Sequence, residues 1–152
     1  MGDPVRHLLR SLLFLPLLVG GSLLVAPSAS AAPAVKISFV YFDSPGSDTG
    51  SNTSLNAEYV TIKNTSSTAR SLTGWTLRDK TGYTYKFPKF TLKAGASVKV
   101  RTGKGTASSY NRYYNFTWYV WNNGGDTAYL KNASGTLVHK CTWTSAGSSK
   151  SC

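Results

Sequence analysis

The stretch from Tyr85 to Val100, YKFPKFTLKAGASVKV, reads as strand, turn and strand. Tyr85 and Phe87 flank Lys86, Phe90 and Leu92 flank Thr91, and Val98 and Val100 interleave with Lys99 and Arg101. A period of two is the signature of a half-buried strand, because successive side chains point to opposite faces. Lys93, Ala94 and Gly95 turn the chain. On this pattern Lys99 and Arg101 point away from the Val98 and Val100 face, and Lys86 points away from Tyr85 and Phe87, which predicts a cationic outer sheet face.

The same rhythm continues on both sides. Val35, Ile37, Phe39 and Tyr41 alternate through a first strand that stops at DSPGSD, and the small polar residues from Asp43 to Asn56 predict a long exposed loop. In EYVTIKN, Val60 and Ile62 share one face while Tyr59, Thr61 and Lys63 share the other. Leu72, Trp75 and Leu77 supply the next buried positions. Phe116–Trp121, Thr127–Lys131 and Thr136–Trp143 complete the set, and no window carries helical periodicity. The expected class is all-β, a sandwich of about eight or nine short strands.

Arg6 and Arg10 precede the apolar run SLLFLPLLVGGSLLVA, which leads to the small residues Ala29, Ser30 and Ala31. Residues 1–31 therefore read as a secretory signal peptide, with cleavage after Ala31. The competing reading is a retained anchor. Pro16, Gly20 and Gly21 interrupt the run, which falls short of the ~20 apolar residues of a spanning helix. Residues 32–152 fit one domain with a single core, expected as a secreted, extracellular monomer.

The whole chain has 17 Lys+Arg against 6 Asp+Glu. Setting aside Asp3, Arg6 and Arg10 leaves 15 and 5, a net charge of +10 on the mature part. Between Arg78 and Arg112 nine cations accompany the single acid Asp79. Such a surface favours polyanions, extracellular DNA or an anionic wall polymer among them. SSYNRYYN, Ser108 to Asn115, has the composition of a binding loop, since tyrosine gives contact area at low entropy cost. The bland alternative is that its tyrosines cover a sheet edge. The candidate binding residues are Lys86, Lys99, Arg101, Lys104, Tyr110, Arg112, Tyr113 and Tyr114.

Catalytic and metal readings find little support. His139 is the only histidine after residue 31, and it sits in strand-like sequence with no positioned nucleophile implied. Asp43 and Asp48 flank a Pro-Gly turn without the spacing of a calcium loop, so turn formation is the plainer account. TGKGTASS, Thr102 to Ser109, lacks the full phosphate-loop pattern. Neither a metal nor a cofactor is implied. Cys141 and Cys152 suit a disulfide pinning the tail to the last strand, with two free thiols as the alternative. In YVWNNGGDTAYL, Tyr119 to Leu130, the Asn-Gly and Gly-Gly steps predict a hairpin connection, with Gly125 supplying positive φ and Asp126 accepting backbone N–H bonds.

Four segments together carry a resemblance. EYVTIKNTS at Glu58–Ser66, LTGWTLRD at Leu72–Asp79, the stretch Tyr85–Val100, and WNNGGDTAYLKNASG at Trp121–Gly135 resemble the lamin-tail domain in order and spacing. FDSPGSD looks like that family's first loop. The resemblance covers Val35 to Trp143 and implies an immunoglobulin-like β-sandwich acting as an interaction module without catalytic residues. The expected function is thus non-catalytic binding of a polyanion or a protein partner through the basic face. Two alternatives stand beside it: a small hydrolase or nuclease using Asp126, Glu58 and His139, and a structural envelope domain without a specific ligand.

Overall fold

A computed structural model describes Gly2 and residues 31–152; the expected signal peptide, residues 1–31, lies outside the described residues, Gly2 and Ala31 excepted. The strands and one helix run in the order β1 (Val35–Tyr41), α1 (Asn52–Ala57), β2 (Tyr59–Asn64), β3 (Arg70–Ser71), β4 (Thr76–Arg78), β5 (Thr84–Lys86), β6 (Thr91–Leu92), β7 (Ser97–Arg101), β8 (Asn111–Tyr113), β9 (Gly125–Lys131), β10 (Leu137–Thr144) and β11 (Ser149–Ser151). A five-stranded sheet, β11-β1-β2-β7-β8, and a four-stranded sheet, β10-β9-β4-β5, make the sandwich, and β3 pairs with β6 in a short third sheet. The all-β, immunoglobulin-like expectation holds, with eleven strands because several are only two or three residues long.

Apolar residues of alternating parity meet between the sheets. Val60 and Ile62 of β2, Val98 and Val100 of β7, Leu77 of β4 and Leu130 of β9 are all fully buried. Burying a side chain of this kind is worth about 1.5–3 kcal/mol relative to leaving it exposed. Trp121 packs edge-on against Trp143 with ring centroids 5.7 Å apart, and Trp143 stacks on Phe42 at 5.1 Å.

Three local readings are corrected. Pairing slips between Ile37 and Phe39, a β-bulge at Ser38, so Val35 and Ile37 face the core while Phe39 and Tyr41 are turned outward and Val40 and Phe42 take the inner positions. The expected loop from Asp43 to Asn56 contains α1, capped by Ser51 accepting from Ser54 N at 3.3 Å and anchored by buried Leu55. Phe116–Trp121 is not a strand; the strand in this region is β8, inside the tyrosine-rich segment, and it pairs parallel to β7. Tyr119–Leu130 is accordingly a turn entering β9 rather than a hairpin between two strands.

The tail reading holds. Cys141 of β10 and Cys152 are disulfide-bonded, with Cα atoms 5.8 Å apart. The Cys152 N–H also donates to Ser38 O at 3.0 Å, on the bulge of β1.

Candidate binding face

Strand register decides which side chains share a surface. Across the five-stranded sheet Tyr41 pairs with Tyr59, Tyr59 with Arg101 and Arg101 with Tyr113. One row further, Phe39, Thr61, Lys99 and Asn111 align; Lys63 and Ser97 follow. Paired residues project to the same side of a sheet, so these rows form one outer face. None of the five strands contains an Asp or Glu.

The aromatic members touch one another. Tyr41 and Tyr59 stack at 5.8 Å, and Phe39 lies 6.1 Å from Tyr59. Lys99 Nζ sits 4.3 Å from the Tyr59 ring centroid and the Arg101 guanidinium 5.3 Å from it. These contacts hold the cations over the sheet, each worth about 0.5–1 kcal/mol at such exposure. Arg101 is further fixed by donating to Asn111 Oδ1 at 2.8 Å and to Asn56 O. A hollow of about 270 Å³ lies among Thr61, Lys99, Arg101, Tyr110 and Asn111, and Tyr110 is 72 % exposed beside it.

The other expected binding residues do not all join this face. Lys86 lies on β5, on the outside of the four-stranded sheet, in a row with Thr76 and Lys131; Arg78 and Lys140 stand in the next row on either side of Tyr129. Lys104 is exposed in a loop whose backbone is held by Asn52 and Asn56. Arg112 has the inward parity of Val100 and lies 4.1 Å over the Phe90 ring. Tyr114 is a correction: it is a core residue, and its hydroxyl donates to Leu77 O at 2.9 Å, so it offers no contact area. Lys99, Arg101, Tyr110 and Tyr113 are thus brought together, and Lys86, Lys104, Arg112 and Tyr114 are not. Tyr59 and Lys63 were missed as site members although the parity of EYVTIKN carried them. Phe39 and Tyr41 were hidden by the bulge.

Three of the acids are interior. Glu58 is fully buried and accepts from Val120 N at 3.1 Å, Trp121 N at 2.8 Å and the Thr102 hydroxyl. Burial pushes its carboxyl up to about 7, against the lowering pull of those three donors. Asp79 accepts from the Thr81 hydroxyl and Gly82 N. Asp126 accepts from Lys80 N at 3.1 Å, Asn122 N at 3.2 Å and Thr127 N at 2.7 Å, and so caps the turn as expected. Gly125 has φ +126°, and a Cβ there would meet Trp143 O at 3.2 Å, so the turn requires glycine twice over. His139 faces inward on β10; burial, then the charge of Lys36, lowers its pKa. Among the described residues no hydrogen bond joins Glu58, Asp126 and His139.

A search of curated proteins found no match to the chain. A family model, Lamin Tail Domain, matches residues 28–145, a span that takes in β1 through β10 and so every strand of the sandwich but β11, and the chain belongs to that family.

Proposed function

We propose that the chain is a secreted, non-catalytic interaction module that binds a polyanion, extracellular DNA or an anionic wall polymer, on the outer face of its five-stranded sheet. Its family is one of non-catalytic, immunoglobulin-like domains. The observation that carries the reading is the register itself: Lys63, Lys99 and Arg101 share an acid-free face with Phe39, Tyr41, Tyr59 and Tyr113. Cations there can meet phosphates or other anionic groups, while the rings give the partner apolar area to settle on.

Binding of the purified chain to DNA and to an anionic wall polymer, measured across salt concentrations, tests this. The expected result is a steep fall of affinity with salt, shallower by about one in log–log slope for each phosphate contact removed. Lys63→Glu with Lys99→Glu should weaken binding at least about tenfold, since two cations become two repulsive anions. Salt-insensitive binding, or none to either polymer, overturns the proposal. Arg101 is a poorer probe, because its bonds to Asn56 and Asn111 also hold the fold.

A further inference from the structure

A second surface shares the aromatic rings of the basic face but not its cations. Two adjoining hollows, of about 270 and 370 Å³, share Tyr83, Trp118 and Tyr119 as walls. The larger lies within the ~300–1,000 Å³ usual for ligand clefts and the smaller just below it. Trp118 is 63 % exposed and Tyr83 51 %. Among the described residues lining either hollow there is no Lys or Arg, on a chain of formal net charge +11.

The exposed rings are held rather than loose. Gly50 has φ +67°, and a Cβ on it would stand 2.9 Å from the Trp118 ring, so the indole packs against bare backbone there. Tyr119 meets Trp118 edge-on at 5.5 Å, and the Tyr119 hydroxyl is itself fixed by Ser54 Oγ at 2.6 Å and Gly50 N at 3.3 Å. Tyr83 packs edge-on against Phe116 at 5.5 Å, and Phe116 packs at 5.4 Å on Tyr114 in the core. Ring faces preorganised in this way bind without first losing rotamer freedom.

Polar groups surround them. Asn115 lines the smaller hollow and has φ +61°, the one positive φ outside glycine among the described residues. A backbone held in that region marks a place where geometry is maintained against a local cost. Asp48, Asp79, Asp126, Asn122 and Asn123 line the larger hollow; Asp79 and Asp126 are already engaged by donors of the chain itself, which leaves Asp48 as the exposed carboxylate. Amides offer both donors and acceptors, and a carboxylate offers acceptors.

We infer that this cleft is a binding site for a neutral polysaccharide, the apolar faces of its pyranose rings lying on Trp118 and on Tyr83 and its hydroxyls bonding to Asn115, Asn123 and Asp48. A neutral polyol is the class these groups fit: rings take the C–H face, amides and the Asp48 carboxylate take the hydroxyls, and no Lys or Arg lines either hollow to draw an anion. The site stands independently of the basic face, since it shares no residue with it.

The test titrates the purified chain with β-1,4-linked hexasaccharides of glucose and of N-acetylglucosamine and with a β-1,3-linked glucose hexasaccharide, by calorimetry, at low and high salt. At least one should bind with an affinity that salt leaves unchanged. Trp118→Ala and Tyr83→Ala should each weaken that binding by about tenfold or more, the loss of one stacked ring. Lys63→Glu with Lys99→Glu should not change it, which separates this site from the basic face. Both aromatic positions are exposed, and retained thermal unfolding transitions of the variants confirm intact folding. No binding to any of the three sugars, binding that falls with salt, or unchanged binding in folded Trp118→Ala overturns the inference. Displacement of the sugar by tetramethylammonium would equally overturn it, by showing an aromatic site for cations instead.

Discussion

Glu58, Asp79 and Asp126 lie inside the sandwich, while Lys63, Lys99 and Arg101 lie on the outer face of one sheet. The interior acids are spent on donors of the chain's own backbone and hydroxyls, holding the loops after β4, before β9 and around Val120 to the framework. The outer cations of Lys63 and Lys99 hold no such loop. A formal charge balance understates how basic the outer surface is: of the five acids after residue 31, only Asp43 and Asp48 escape burial. Charge inside and charge outside should therefore fail in different assays.

The largest expected effect is on the inside. Glu58→Ala leaves two buried backbone N–H groups and the Thr102 hydroxyl without their acceptor, at about 1–3 kcal/mol for each unsatisfied group. A destabilisation of about 4 kcal/mol is expected by chemical denaturation, and a loss below about 1 kcal/mol would show that water replaces the carboxylate.

The pH dependence of the same group is next. Its folded pKa, about 7, lies above the ordinary 4.5, so the folded state holds the proton longer than the unfolded chain does. The stabilisation linked to that proton is complete below about pH 4.5 and is lost as pH rises to about 7, roughly 3 kcal/mol in all. Comparing unfolding free energies of the wild type and Glu58→Gln over this window should show the decline in the wild type alone.

Asp126→Ala should cost less, about 2 kcal/mol, because Lys80 and Asn122, two of its three donors, belong to exposed residues that water can reach. A thermal melt checks it; an unchanged midpoint would mean the turn holds without its cap. The smallest effect on stability belongs to the outer face. Lys99→Glu removes a cation–π contact and should cost under about 1 kcal/mol while still weakening polyanion binding. If instead it unfolds the domain and leaves binding unchanged, the contrast between inner acids and outer bases collapses.

Sequence alternation carried most of the architecture. The parity of EYVTIKN and of SVKV placed Val60, Ile62, Val98 and Val100 inside and Tyr59, Thr61, Lys63 and Lys99 outside, because a regular strand converts spacing into facing. Where a single extra residue enters, that conversion fails. The bulge at Ser38 sends Phe39 and Tyr41 to the opposite side from Val35 and Ile37, and nothing in VKISFVY distinguishes this from unbroken alternation. Tyr113 and Tyr114 show the related limit: one ends β8 on the outer row and the next, just past the strand, enters the core, and only tertiary packing says which one the core takes. Likewise Lys86 and Lys99 both point outward, but from different sheets, a distinction that depends on topology rather than local pattern. The Trp118 and Tyr83 cleft brings together loops 35 residues apart in the chain, so no window could have revealed it.

The bond between Cys141 and Cys152 joins the edge strand of one sheet to the chain end that borders the other. β11 is three residues long, and among the described residues it is the strand that screens the outer edge of β1, whose sequence VKISFVY is rich in β-branched and aromatic residues. An uncovered edge of that kind is a template for pairing between molecules. The disulfide fastens that cover to β10 as well, so the edge of β1 is guarded by a covalent bond in addition to the β11 ladder and the backbone bonds that Ser148 and Cys152 make to the β1 segment.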